Sequence, residues 1–269
     1  MQLINKGGIL ASAFLMSVVF SNCSQKQASS DEKEKAPVKE AAVKPVENNT
    51  LSGEEKSEGW LLMFDGKSSN GWRGFKKDYF PANWEVVDGT LHMKSKMTEE
   101  EKKDRADIVY DKEFENFVFR MEWKIAEGGN SGIFYLGKET DEFSRIYHTA
   151  PEMQVLDNDK HPDAKKGKDG NRQAGSLYDL IPAKPQNAKP VGQWNKVEIT
   201  VNNGKVIHKQ NGKEVVSYDY KSPEWAELVA GSKFPGLNPN WANLASKGLI
   251  GLQDHGDDVW FRNLRIKEL

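Results

Sequence analysis

Apolar and polar side chains alternate with a period of two in several segments of this 269-residue chain. The longest such segment spans residues 117–125, where apolar residues take every second position. Successive side chains of a β-strand point to opposite faces, so this segment is predicted to be a strand with one buried face. A chain that repeats this pattern must pair its strands into sheets and bury their apolar faces against another layer.

A group of strands is predicted between residues 195 and 218. Val197, Ile199 and Val201 alternate with polar residues, and an Asn-Gly pair follows at 203–204 and again at 211–212. Asn-Gly readily takes the positive φ angles of the type I′ turn that joins two strands. The segment is therefore predicted to form a three-stranded antiparallel meander.

The remaining pattern adds short strands and little helix. Further strands are predicted at 60–64, 84–93, 107–110, 131–136, 152–156, 175–180, 248–253 and 257–267. Ser222, Pro223 and Glu224 form a helix start signal that predicts a helix to residue 230, and a second short helical turn is predicted at 98–104. These elements predict an all-β fold, a sandwich of two antiparallel sheets with one or two short helices.

The first 22 residues have the parts of a secretory signal. Lys6 precedes a mostly apolar run from Ile9 to Phe20, which is shorter than the roughly 20 residues of a bilayer-spanning helix. Cys23, the one cysteine of the chain, stands shortly after this run. The arrangement resembles a bacterial lipoprotein signal, in which the cysteine is lipidated. The alternative is an N-terminal helix buried in the folded domain.

Residues 23–58 contain no aromatic residue and are rich in Lys, Glu, Ala, Ser and Pro. Such a segment cannot bury enough apolar surface to offset its ordering entropy, so it is predicted to be a disordered tether. All eight Trp lie at or after Trp60, which places the globular domain at 59–269. We expect a protein of the cell envelope, on the periplasmic or outer surface, that contacts the membrane through its lipid anchor only.

Charge and cysteine content exclude some functions. The 38 basic and 40 acidic residues give a net charge of -2, so there is no electrostatic reason to expect a nucleic-acid partner. A single cysteine excludes an intramolecular disulfide and a cysteine-rich metal cluster.

Two polar stretches between residues 128 and 163 could contact a ligand. Three glycines within 128–132 let a ligand approach the backbone, and Asn130 and Ser131 offer polar groups there; a tight turn is the alternative. Residues 157–163, beginning with Asp157, are rich in carboxylate and imidazole groups. They could hold a cation, but they match no standard calcium loop and are also typical of a solvated loop.

The predicted strand 152–156 carries the main candidate site. If Met153 and Val155 point into the core, Glu152 and Gln154 project together from the opposite face. A carboxylate beside an amide is a suitable floor for a sugar site. The alternative is an ordinary face exposed to solvent.

Other candidate residues lie further along the chain. Arg172 supplies a fork of donors for sugar oxygens, and Tyr178 supplies a stacking plane with one hydroxyl. Gln253 and His255 lie at the end of a predicted strand, where a histidine can carry a proton. Each of these side chains could equally be structural.

Short blocks of sequence, in order, resemble the 3-keto-disaccharide hydrolase family. The blocks are residues 64–67 with 71–72, 84–89, 129–132, 152–157, 192–195, 251–256 and 261–266. Together they span most of 60–269. The resemblance implies a concanavalin-like jelly-roll sandwich, secreted or lipid-anchored, whose substrate is a small carbohydrate, an oxidised disaccharide or glycoside.

The chemistry of such a substrate suggests roles for the candidates. In a sugar oxidised at C3, a base can remove the acidified C2 proton, the aglycone leaves from C1, and water then adds. We assign Glu152 as the base, with a pKa raised by partial burial. Arg172 or His255, or else a divalent metal, would stabilise the enolate. His148 or His255 would protonate the leaving oxygen.

The remaining candidates would bind the substrate: Asn130, Ser131, Gln154, Asp157, Tyr178 and Gln253. The sequence indicates no cofactor, with a divalent metal left open.

Two other functions remain open at this point. A non-catalytic carbohydrate-binding module could use Trp72, Trp194 and Trp241 as a stacking platform, since fold does not fix function. A conventional glycoside hydrolase would need a second carboxylate, for which Asp157 is the nearest candidate to Glu152, although alternation turns it to the other face.

Overall fold

The computed structural model describes residues 47–269, so the predicted signal, Cys23 and the tether up to residue 46 lie outside the described residues. The thirteen strands are β1 Leu61–Leu62, β2 Trp72–Gly74, β3 Trp84–Val87, β4 Thr90–Met93, β5 Ile108–Phe114, β6 Phe117–Ile125, β7 Asn130–Gly137, β8 Glu152–Leu156, β9 Asn195–Asn202, β10 Lys205–Gln210, β11 Lys213–Asp219, β12 Gly248–Leu252 and β13 Val259–Glu268. The α-helices are α1 Gly53–Ser57, α2 Glu99–Lys103 and α3 Pro223–Ala230.

The strands form two antiparallel sheets. The larger sheet has eight strands in the order β11-β10-β9-β6-β13-β4-β3, with β1 also paired to β13. The smaller sheet has five strands in the order β2-β5-β12-β7-β8. The predicted all-β class and two-sheet sandwich are confirmed, and β8 lies at an edge of the smaller sheet.

The main core lies between the sheets. Alternate residues of β6 in the larger sheet are buried, from Phe117 to Ile125, as the period-two pattern predicts. They share one cluster with Ile133 of β7 and with Met153 and Val155 of β8 in the smaller sheet. Burying a side chain of this size stabilises the fold by roughly 1.5–3 kcal/mol, so the core fixes which face of β8 points outward.

The predicted meander is confirmed as β9, β10 and β11. Its two Asn-Gly turns have positive φ angles at all four residues, 51° and 99° in the first turn and 49° and 81° in the second. The predicted helices at 98–104 and 222–230 are present as α2 and α3. The span 84–93 is a hairpin of two strands, because Asp88 and Gly89 also take positive φ angles.

The prediction of a strand at 175–180 was wrong, because these residues form no regular strand. Leu177 forms isolated bridges to Met153 and Ile181, and the chain turns back at this point because the Leu180 N–H bonds to the Leu177 carbonyl. Residues 175–178 do run beside the free edge of β8, where the Tyr178 N–H donates to the Glu152 carbonyl at 2.9 Å. This segment therefore closes the edge of the smaller sheet without forming a regular strand.

The predicted tether ends before residue 58. Residues 53–57 form α1, which begins with a capping box between Ser52 and Glu55. Asn49 and Asn263 each donate a backbone N–H to the other's side-chain oxygen, at 2.7 and 2.8 Å. Polar contacts rather than apolar burial hold this stretch, so its composition did not reveal that residues 47–58 belong to the folded domain.

Two further features bear on function. Trp72 and Trp241 are buried at 5% and 2% exposure, so the three-tryptophan platform expected of a binding module is absent from the surface of the described residues.

Within residues 47–269, helices of the length and apolarity needed to cross a bilayer are absent.

Candidate active site

Glu152 is the first residue of β8, and its side chain points away from the core between the sheets. Met153 and Val155 pack in that core, so the predicted alternation along the strand is confirmed. The opposite face is not an ordinary solvent face, because only 7% of Glu152 and 1% of Gln154 is exposed. A carboxylate and an amide are therefore held side by side, out of bulk water.

Gly132 of β7 makes room for the Glu152 carboxylate. A Cβ atom at position 132 would lie 2.0 Å from Glu152 Oε1, well inside van der Waals contact. The end of the Gln154 amide lies 3.2 Å from the same carboxylate oxygen and 2.8 Å from the Ser131 carbonyl. Both neighbours are acceptors, so the amide nitrogen occupies this end and donates to them.

The Glu152 carboxyl is a strongly perturbed acid. Burial raises its pKa to about 8, and the negative charges of Asp107 and Asp163 act in the same direction. The Lys233 ammonium group and a hydrogen bond from Gln253 oppose this rise. A carboxyl group with this pKa can take up and release a proton near neutral pH, as a general base must.

Asp107, directly before β5, is a second buried carboxyl that the sequence analysis missed. It is 4% exposed, and its Oδ1 accepts the Asp254 N–H at 2.9 Å. Burial raises the pKa of Asp107 to about 7, and the Asp254 carboxylate adds to this, while the same N–H and the cations Arg145 and Arg105 oppose it. Two coupled acids with pKa values near neutrality are typical of acid–base sites.

Arg172 is held by two carboxylates. Its Nε donates to Asp179 at 2.5 Å and its Nη1 to Asp163 at 3.0 Å. Tyr178 donates its hydroxyl to the other oxygen of Asp163 at 2.9 Å. Burial favours the neutral acid, but hydrogen bonds from Tyr178 and Arg172 outweigh it and lower the pKa of Asp163. The charge of Arg172 is therefore largely compensated within the protein.

Lys233 is a second cation in this region, 3.9 Å from Asp179 Oδ2, and the sequence analysis missed it. Its Nζ donates to Tyr178 Oη at 3.2 Å and lies 4.3 Å from the centre of the Tyr178 ring. The loop after α3 holds it there, because Phe234 stacks on Trp241 at 4.0 Å within a buried cluster that includes Trp225. Partial burial lowers the pKa of Lys233.

A cleft of about 420 Å³ is lined by Asp107 but not by Glu152, which is linked to it through Gln253. Its lining includes Asp107, Tyr147, Gln253 and His255, and Gln253 is the hydrogen-bond partner of Glu152. His148 follows Tyr147, and their rings stack at 4.5 Å. The cleft is large enough for a sugar, since small-molecule sites start at roughly 300 Å³.

The other predicted binding residues surround this region. The side-chain oxygen of Asn130 is buried without a hydrogen-bond partner among the described residues, which suits it to a bound hydroxyl. Ser131 Oγ donates to the Gln253 carbonyl at 2.8 Å. Both carboxylate oxygens of Asp157 accept backbone N–H groups, one from Gly128 in the turn before β7 and two from the turn after β8, so Asp157 ties these two turns together.

One group in the described part of the chain could share a metal ion. His161, His255 and Asp257 each offer a donor atom, and these atoms all lie within 4.8 Å of one another. His161 belongs to the ligand-rich stretch 157–163, and His255 lines the cleft.

A larger groove, of about 790 Å³, lies on the outer face of the eight-stranded sheet. Ion pairs line it, such as Arg120 with Glu198 and Arg262 with Glu122, both at 2.7–2.8 Å. Its lining contains none of the predicted site residues. The perturbed acids identify the smaller cleft as the place for chemistry.

Comparison with known proteins agrees with this picture. The model of a protein family described as the 3-keto-alpha-glucoside-1,2-lyase-like domain matches residues 59–267. A protein of Bacteroides thetaiotaomicron named 3-keto-disaccharide hydrolase is 44% identical, and the match covers 97% of each chain. A candidate glycosyl hydrolase of Parabacteroides distasonis with a crystal structure is 31% identical, with a TM-score of 0.74, over 83% of this chain and 100% of that one.

A second candidate glycosyl hydrolase structure from Parabacteroides distasonis is 26% identical, with a TM-score of 0.57, over 74% of this chain and 100% of that one. The family resemblance inferred from the ordered sequence blocks is confirmed. The chain belongs to the 3-keto-alpha-glucoside-1,2-lyase-like family.

Proposed function

We propose that this protein cleaves the glycosidic bond of 3-keto-disaccharides and related 3-keto-glycosides, with Glu152 as the base. The observation that carries the proposal is the buried Glu152 carboxyl, seated over Gly132 beside a sugar-sized cleft, with a pKa of about 8. The name of the 44% identical relative supports the substrate class. The family description names a 1,2-lyase, which matches an elimination that breaks the C2–H bond and the bond from C1 to the aglycone oxygen.

The reaction begins with proton transfer from C2 of the sugar to Glu152. The electron pair of the C2–H bond forms an enolate with the C3 carbonyl, and the ammonium group of Lys233, whose charge acts on the Glu152 carboxyl, would stabilise it. The enolate then reforms the ketone and a C1–C2 double bond as the aglycone oxygen leaves C1. Water adds OH to C1 and a proton to C2, so the net result is hydrolysis.

The departing oxygen needs a proton. The sequence pointed to His148 and His255, and the structure adds Asp107, which lines the same cleft and has a pKa of about 7. Asn130, whose side-chain oxygen has no hydrogen-bond partner within residues 47–269, and Gln154, bonded to Glu152, would orient the sugar hydroxyls. We also retain the proposal that Cys23 carries a lipid that holds the domain at the cell envelope.

Reaction in D₂O tests this function. We expect the full chain to cleave a 3-keto-disaccharide but not its unoxidised parent, and to release a 3-keto-sugar with deuterium at C2. Direct hydrolysis would retain the C2 hydrogen, because that C–H bond never breaks. The free 3-keto-sugar, incubated alone, corrects for spontaneous exchange.

Two outcomes of this experiment would contradict the proposal. Cleavage of the unoxidised disaccharide with its C2 hydrogen retained would favour a conventional hydrolase that uses Glu152 and Asp107 as its two carboxyl groups. Sugar binding without any cleavage would favour a carbohydrate-binding module.

The proposal predicts a specific effect of Asp107→Asn on pH dependence. Glu152 must be ionised to act, so kcat/KM should rise with pH up to about 8. Asp107 raises the pKa of Glu152, so its removal should lower that pKa and shift the rise to lower pH. We expect the acid limb of the profile, plotted relative to each variant's own maximum, to move to lower pH in Asp107→Asn. This normalisation separates the shift from the loss of absolute rate expected if Asp107 also protonates the leaving oxygen.

Asn at position 107 can still accept the Asp254 N–H, so the backbone contact survives. The other groups coupled to Glu152 (Asp163, Lys233 and Tyr178) are left in place. Asp88→Asn, in the exposed β3–β4 turn, changes net charge equally and should leave the profile unchanged. An unshifted rise in the Asp107→Asn variant would show that Asp107 does not tune the base.

A further inference from the structure

His161, His255 and Asp257 converge from two separate loops beside the candidate active site. His161 follows β8, at the start of the 3₁₀ turn Pro162–Lys165, and the other two follow β12. The His161 and His255 rings meet edge to face at 5.8 Å, and His255 Nδ1 lies 3.4 Å from Asp257 Oδ2. Donor atoms within 4.8 Å of one another need to move by about 1 Å to reach a common ion, since metal–ligand bonds are about 2.0–2.2 Å.

The cluster lies close to the base. Asp257 Oδ2 accepts the backbone N–H of Asn130 at 3.1 Å. Asn130 is two residues before Gly132 on β7, roughly 7 Å along the strand, and Gly132 abuts Glu152. His255 also shares the lining of the cleft with Gln253, the partner of Glu152. An ion at the cluster would therefore lie at the cleft whose lining residue Gln253 is hydrogen-bonded to Glu152.

We propose that His161, His255 and Asp257 bind one divalent transition-metal ion at the mouth of the active-site cleft. Two imidazoles and one carboxylate are the ligand chemistry of Zn²⁺, Mn²⁺ or Co²⁺ rather than of Ca²⁺ or Mg²⁺, which prefer oxygen-only sites. Three protein ligands leave at least one position open for a substrate or water oxygen, as catalytic metal sites do.

The local hydrogen bonds allow this binding. His161 Nδ1 now accepts the Asp163 N–H at 3.2 Å, so a metal on this nitrogen would replace one long hydrogen bond. Asp257 has a second carboxylate oxygen besides the one near Asn130. His255 is exposed, so its ring can turn toward an ion at little cost.

The site gives the proposed reaction a second electrophile. Arg172 is compensated by Asp163 and Asp179, so a metal ion would add positive charge where the enolate oxygen develops. His255, once a metal ligand, would no longer be a proton donor, which leaves Asp107 as the acid in the cleft. This catalytic role rests on the proposed function, whereas metal binding itself does not.

Metal titration of the full chain tests the site. After chelator treatment and dialysis, we expect Co²⁺ and Zn²⁺ to bind with a stoichiometry of one per chain, measured by calorimetry and by elemental analysis. Bound Co²⁺ should give visible ligand-field absorption. His255→Ala and His161→Ala should each weaken binding at least about a hundredfold.

Two matched variants control for other ligands. His148→Ala removes a histidine next to the cleft but outside the cluster, and Cys23→Ser removes the thiol; both should bind the metal as the parent does. Absence of one-to-one binding, or affinity unchanged in the His255→Ala and His161→Ala variants, would overturn the site. Full cleavage of a 3-keto-disaccharide in chelator would remove the catalytic role alone, and metal binding without cleavage would remove the proposed function alone.

Discussion

Glu152→Gln should lower kcat for a 3-keto-disaccharide roughly a thousandfold while leaving the fold intact. The amide has the same shape but cannot accept the C2 proton, and removing a general base typically costs 10²–10⁴ in rate. The buried carboxyl has a pKa of about 8 and is mostly neutral at pH 7, so a neutral amide should be tolerated in its place. Product release and deuterium uptake at C2 should fall together, because both require the same proton transfer.

Glu122→Gln is the matched control for this prediction. Glu122 lies on β6 at the groove of the other sheet, where it pairs with Arg262 at 2.8 Å. The variant loses two ion pairs near the surface, with Arg262 and Lys196, and should keep its kcat within about twofold. A Glu152→Gln variant that folds normally and cleaves at the parent rate would remove Glu152 from the mechanism.

The alternation of β8 could be predicted because burial of one sheet face leaves a period-two trace in the sequence. That trace placed Met153 and Val155 in the core and paired Glu152 with Gln154 on the other face. It could not show that the second face is also buried, because the cover comes from segments distant in sequence or irregular in structure. The pKa of Glu152 depends on burial by these covering segments, so the rise in that pKa could not be derived from the sequence of the strand alone.

The residues of the site differ in how far the sequence alone could reveal their surroundings. Asp107 stands between Ala106 and Ile108-Val109, and an acid within an apolar run is a recognisable sign of a buried carboxyl. Lys233 has no such local sign, because its position depends on α3 packing against Trp241 and Tyr178. Arg172 was predicted to contact substrate from its residue type, and its two carboxylate partners became visible only in three dimensions.

Gly132→Ala should reduce kcat at least about a hundredfold at a modest cost in stability. The new methyl group would lie 2.0 Å from Glu152 Oε1, and the flexible end of Glu152 is what must move. Displacing a catalytic group by about 1 Å can cost roughly a hundredfold in rate, while overpacking costs about 1–3 kcal/mol. Gly251→Ala in β12 is the control, because its methyl group would crowd Ile146 and Ile108 instead. We expect comparable losses of unfolding free energy in urea for the two variants, with kcat per folded molecule retained only in Gly251→Ala. Equal kcat in both variants would mean that the position of Glu152 against β7 does not matter for the reaction.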